Sequence, residues 1–148
     1  MKTEIKTYKN GVTLAVTQMQ GYESVAFNIY VKTGSVNESE GFYGISHYIE
    51  HMLFKGTAKR SAYQIAKELD SLGANVNAYT DCEETTYFTK STNENLEACV
   101  EILSDMFFNS TFDAKEMKRE KKVVCEEIAM YNDDAYSKSE LLVNSILY

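Results

Sequence analysis

Residues 24–33 (SVAFNIYVKT) alternate strictly, with Val25, Phe27, Ile29 and Val31 on one face and Ala26, Asn28, Tyr30 and Lys32 on the other. A period of two marks a half-buried strand, because successive side chains of extended backbone point to opposite faces. A shorter apolar run at 12–17 (VTLAVT) follows the turn signal Lys9-Asn10-Gly11 and reads as another strand. After a polar loop from Gly34 to Gly41 the period becomes helical. Residues 43–54 place Ile45, Tyr48, Ile49, Met52 and Leu53 in one stripe for the core, and Gly56 is positioned to stop the helix. A second helix is expected at 62–72, with Ser61 as N-cap and Gly73 as its end. Two strands rich in Thr, Tyr and Val follow at 74–80 and 84–91, joined around Asp81-Cys82-Glu83. Helical patterns then occupy 94–108, 113–131 and 138 to the end, with Met106, Phe107 and Phe108 expected in the core. Segregated blocks of strands and helices predict an α+β domain, its helices packed on a largely antiparallel sheet. The last helix reaches Tyr148 without a cap or a polar tail and reads as cut off in mid-pattern.

Composition narrows what such a domain could do. A chain of 148 residues, 44% hydrophobic and 25% charged, suits one soluble domain that needs no disulfides to hold its core. Its net charge of −7 argues against a nucleic-acid surface, which requires a basic face to displace counterions. No apolar run is long enough to span a membrane, and the opening residues offer no apolar core for a signal peptide. Cys82, Cys99 and Cys125 are scattered, with no C-x-x-C spacing; they read as reduced, buried thiols and point to a cytoplasmic setting. Only two histidines occur, His47 and His51, and they stand four residues apart.

On a helix that spacing brings His47, Glu50 and His51 to one side, opposite the apolar stripe. Two imidazoles one turn apart can reach the same ion, and a carboxylate between them can take a proton from a metal-bound water. Zinc that keeps one position open for water needs a third protein ligand, and no histidine is left to supply it. In the helix at 113–131, Glu120 lies about 20° from Glu127, two turns earlier, on the side that carries Met117, Val123, Val124 and Tyr131. Glu126 is turned about 100° away, toward Arg119 and Lys122, and Cys125 about 160° away. A carboxylate in an apolar arc is costly to bury unless it is paired or ligates a metal, which favours Glu127 over Glu126 as the ligand. Pairing of Glu120 and Glu127 with nearby Lys and Arg stands as the alternative.

His47-Tyr48-Ile49-Glu50-His51 is an H-x-x-E-H motif, the inverted arrangement of the inverzincins. Together with Gly34-Ser35-Val36, HYIEHMLFKGT at 47–57, NAYT at 77–80 and REKKVVCEEI at 119–128, it resembles the pitrilysin/insulinase family of zinc peptidases, most of all the bacterial and mitochondrial processing peptidases. The resemblance implies one Zn2+ held by His47, His51 and Glu127, with Glu50 as general base toward a zinc-activated water and Glu120 supporting the site. It further implies substrate binding by β-addition along the strand carrying Asn77 and Ala78. The chain carries Asp81-Cys82 where processing peptidases usually have a basic or small residue.

Residues 1–148 are accordingly expected to be a partial N-terminal catalytic domain, an incomplete half of the two-half architecture, with the second half absent. The expected activity is zinc endopeptidase cleavage of extended, unstructured peptides. A metal-binding but inactive module that lacks the substrate clamp of the other half is the alternative, and a metal-free structural domain is a third reading. The expected partners are a peptide substrate and a second homologous half or subunit, with neither nucleic acid nor membrane.

Overall fold

A computed structural model describes residues 2–147, with five strands and five α-helices in the order β1–β3, α1, α2, β4, β5, α3–α5. The expected class holds: the chain is α+β, every strand pair is antiparallel, and helices pack on one sheet.

Strands β1 (Lys2–Thr7) and β2 (Thr13–Gln18) form a separate hairpin, Ile5 opposite Ala15. The first of them was not foreseen, because Ile5 is its one large apolar residue and no hydrophobic face marks it. Both strands are exposed throughout, and the cross-strand hydroxyl pairs Thr3–Thr17 (2.9 Å) and Thr7–Thr13 (3.1 Å) reinforce the backbone ladder. The run at 12–17 is thus a strand, but it is not a core strand.

Strands β3 (Ser24–Val31), β4 (Asn75–Thr80) and β5 (Thr85–Thr92) make the main sheet in the order β3-β5-β4. Its inner face presents Phe27, Ile29, Val31, Val76, Ala78 and Tyr87 to a core of Leu53, Ile65, Leu69, Ile102, Leu103 and Met106. These come from α1 (Ile45–Leu53), α2 (Ala62–Ser71) and α3 (Leu96–Asn109). Ser61 caps α2 as expected, its hydroxyl accepting the Gln64 N–H. Met106 is buried and Phe107 packs its ring against Tyr87, but Phe108 is 75% exposed. Three consecutive helical residues span about 200°, so they cannot all face one core.

Helix α1 departs from its simple amphipathic reading. Met52 and Leu53 are buried, yet Ile49 is exposed and Glu50 is buried. The helix is covered on two sides, packing against β4 as well as α4 (Ala114–Asp133), and the Tyr48 hydroxyl donates to the Met117 carbonyl (2.6 Å). Its polar face is therefore a lined groove rather than a solvated surface. The Glu38 carboxylate caps the first turn, accepting the N–H groups of Gly44 (2.6 Å) and Ser46 (2.8 Å). Charge of this sign at a helix N-terminus complements the helix dipole.

The segment after α1 is anchored by a buried ionic network. Asp105 accepts from the Thr57 hydroxyl (2.8 Å), Arg60 Nη1 (2.8 Å) and Asn109 Nδ2 (2.9 Å), while Arg60 also reaches Glu68 and Glu101. Burial alone would push the Asp105 carboxyl up, but these three donors hold it below its ordinary range. A depressed acid stabilises the fold above its unfolded pKa of about 4 and loses that contribution as the pH falls through its folded value. Asp105→Ala is expected to cost about 3 kcal/mol at neutral pH. In urea unfolding the gap to wild type should shrink steadily below about pH 4, where the unfolded carboxyl takes up its proton.

The final helix, α5, covers Ala135–Leu147; the expected helix end at Tyr148 lies outside the described residues. Among the described residues no helix is long and apolar enough to cross a membrane.

Candidate metal centre

The groove between β4, α1 and α4 has a volume of about 570 Å³ and is lined by all seven residues singled out in the sequence. His47, Glu50 and His51 line it from α1, Glu120 and Glu127 from α4, and the edge of β4 at Asn77 and Ala78 forms its strand wall. His47 Nε2 and His51 Nε2 lie 3.0 Å apart, and Glu127 Oε2 is 3.9 Å from the first and 3.4 Å from the second. Four-coordinate zinc bound at about 2.1 Å separates neighbouring ligand atoms by about 3.4 Å. The three separations bracket that value, so small side-chain adjustments would let the three donors share one such ion. Among the described residues no other set of three His, Cys, Asp or Glu donors converges in this way.

The surroundings are built for the same arrangement. Glu120 is 5% exposed; its Oε1 accepts from His51 Nδ1 (2.9 Å) and its Oε2 pairs with Lys55 Nζ (2.7 Å). With the proton on Nδ1, the lone pair of His51 Nε2 is directed toward His47 and Glu127, the role that outer carboxylates play at zinc sites. Burial raises the Glu120 carboxyl, but the bonds from Lys55 and His51 outweigh it and hold the group below its ordinary range. Three carboxylates, those of Glu50, Glu120 and Glu127, share the groove with the one ammonium of Lys55, an acidic balance that suits a bound cation.

Glu50 is 8% exposed, and its Oε2 accepts a hydrogen bond from the Thr80 hydroxyl (2.6 Å). Burial and the Glu50 charge together push the Tyr87 phenol well above its ordinary range, so this core residue stays neutral. Glu120 is salt-bridged to Lys55, and Glu127 faces the two histidines. Glu126 is exposed, as the helical phase required. Val123 and Tyr131 are also largely exposed, so the apolar arc of α4 narrows to Val124 and Met117. Of the three free thiols only Cys99 is buried; Cys82 is half-buried and Cys125 exposed, against the expectation for all three. Cys125 sits on the outer side of α4, where neither sheet nor α1 covers it.

Sequence reasoning missed Lys55 and Thr80 as parts of the site. Both lay inside stretches already singled out, HYIEHMLFKGT and NAYT, but only the tertiary fold shows what each one touches.

Two histidines and a glutamate converge from adjacent helices on an α+β scaffold, with a further buried carboxylate beside them, a set of donors that could hold a metal ion. The profile of the insulinase family (peptidase family M16) matches residues 14–148, and the chain belongs to that family. It is 46% identical over 127 residues to the uncharacterized zinc protease YmxG of Bacillus subtilis, covering 86% of this chain and 31% of that protein. It is 37% identical over 127 residues to the mitochondrial-processing peptidase subunit beta of Neurospora crassa, covering 86% of this chain and 27% of that one. Among solved structures, a protease from Helicobacter pylori superposes with a TM-score of 0.81 at 31% identity, over 85% of this chain and 30% of that one. A peptidase M16 inactive domain from Pseudomonas fluorescens reaches a TM-score of 0.85 at 14% identity, over 97% of this chain and 35% of that one, a likeness of fold alone. The chain thus spans about a third of the length of the relatives it matches.

Proposed function

We propose that this chain carries the zinc-binding part of a metalloendopeptidase that cleaves extended, unstructured peptides. The single observation that carries the reading is the convergence of His47 Nε2, His51 Nε2 and Glu127 Oε2 beside buried Glu50 in one groove. Zinc bound by these three residues would supply a Lewis acid that polarises the scissile carbonyl and lowers the pKa of water toward about 7. Glu50 then acts as general base, accepting the proton of the attacking water and returning it to the leaving amine. Glu120 fixes the His51 ring from behind, and Lys55 keeps Glu120 ionised.

Substrate alignment falls to β4. It pairs only with β5 among the described strands, so its outer edge is open beside the metal donors. An extended peptide added along Asn77 and Ala78 would pair its backbone with this edge and bring one carbonyl to the donors. A folded substrate could not offer a free strand, which is the reason for assigning unstructured peptides.

The relatives are about three to four times as long as the matched region. That length, with the motif resemblance, supports reading residues 1–148 as part of the N-terminal half of a two-half architecture, whose second homologous half or subunit would supply further substrate contacts. The exposed Leu141, Leu142 and Ile146 of α5 offer apolar surface for such a neighbour. A cytoplasmic setting is supported by the three free thiols. The short coverage also favours a second reading, in which this stretch alone binds zinc without cleaving.

Hydrolysis of a flexible fluorogenic peptide, with and without a zinc chelator, tests the proposal on this chain and on the full-length polypeptide that carries it. Chelator-sensitive cleavage by the full-length protein is expected. Cleavage by that protein alone selects the second reading for residues 1–148, and chelator-insensitive cleavage or none from either contradicts the proposal.

A further inference from the structure

Two features singled out above take no part in the three-donor cluster: the Gly34-Ser35-Val36 stretch and the threonine that ends NAYT. In the fold they meet. β4 ends at Thr80 and reverses into β5 through a turn in which the Asp81 N–H donates to the Glu84 carbonyl (2.8 Å). The Ser35 and Val36 N–H groups donate to the carbonyls of Asp81 (3.2 Å) and Cys82 (3.0 Å), and the Thr85 hydroxyl donates to the Thr33 carbonyl (2.8 Å). Gly34 lies directly against this turn, where a Cβ would collide with the backbone oxygens of Asp81 and Cys82. Only glycine lets both N–H groups beside it reach those carbonyls.

The turn held in this way presents the Thr80 hydroxyl to Glu50 Oε2 at 2.6 Å. Glu50 is nine-tenths buried, and this is the one side-chain hydrogen bond its carboxylate makes among the described residues. A glutamate on a helix has three rotatable side-chain bonds. A single short hydrogen bond to one oxygen restrains the carboxylate and leaves the other oxygen without a side-chain partner among the described residues. A buried carboxylate that loses its donor must turn to find another or remain unsatisfied.

We propose that Thr80 is a positioning residue for Glu50, and that the Gly34–Val36 segment sets where Thr80 stands. The inference rests on the reading of Glu50 as general base and deepens it. Thr80 belongs to the same strand as Asn77 and Ala78, so the element that would align the peptide also aims the base. Base and scissile bond are thereby registered to one strand, and misplacement of a reacting group by about 1 Å can cost about a hundredfold in rate.

Thr80→Val, Thr80→Ser and Gly34→Ala, made in the full-length polypeptide, test this through peptide kinetics, bound zinc and crystal structures. Thr80→Val keeps the shape of the side chain and loses the donor. Its kcat should fall about tenfold to a hundredfold, with KM and zinc content unchanged, and its crystal structure should show the Glu50 carboxylate turned from its wild-type position. Thr80→Ser should recover most of the rate, and Gly34→Ala should reproduce the kcat-selective loss. An unmoved Glu50 in Thr80→Val overturns the proposal, as does an unchanged kcat, or a loss that sits in KM or zinc content. If the wild-type protein hydrolyses no peptide, the reading of Glu50 as a base fails by itself. The crystal structures then decide the positioning role alone: a displaced Glu50 sustains it and an unmoved one overturns it.

Discussion

Glu50→Gln is expected to lower peptide hydrolysis by about a thousandfold while the zinc content stays at wild-type level, because general-base catalysis contributes about a hundredfold to ten-thousandfold. The amide is nearly isosteric and can still accept the Thr80 hydroxyl through its carbonyl oxygen. What it cannot do is accept a proton. Glu50 is not among the three converging donors, so the variant should bind metal normally. Elemental analysis beside a steady-state assay separates the two effects. Cleavage surviving at near wild-type rate would remove Glu50 from the mechanism, and loss of zinc would mean that it helps to hold the ion.

The second large effect is expected at Glu127. Glu127→Ala should weaken zinc binding by about a thousandfold, since structural zinc sites hold the ion by about 10–16 kcal/mol and one of three protein donors carries a large share. Neighbouring Glu126→Ala should leave binding unchanged, because that side chain is exposed. Glu120→Gln should fall between them, at about ten- to a hundredfold, the usual cost of losing an outer carboxylate behind a ligating histidine. Competition with a chromogenic chelator reads all three. Equal effects at Glu126 and Glu127 would contradict the geometry.

The fold was legible where burial imposes a period. The strict alternation of 24–33 located β3, and the switch to helical spacing located α1 beside it. Strand β1 was illegible because it is solvated on both faces, so nothing selects an apolar pattern there. Phe108 and Cys125, expected to be buried, are exposed, because the phase of each helix turns them outward.

At the site, the histidine pair could be read at once, because four residues on a helix is a local distance. Phase alone favoured Glu127 over Glu126, and the structure places it facing the histidines. Lys55 and Thr80 escaped because their partners are 65 and 30 positions away in sequence. The buried state of Glu50 escaped for the same reason: amphipathicity shows which side of a helix is polar, not what covers it. That cover, supplied by β4, turns a polar helix face into a lined groove.

The most direct test of the metal centre is elemental analysis of the chain, purified with zinc supplied and then dialysed against metal-free buffer. The account predicts about one zinc per chain, displaced by chelator and lost in His47→Ala, His51→Ala and Glu127→Ala. A chain that retains no zinc, or retains it unchanged in those three variants, would contradict it.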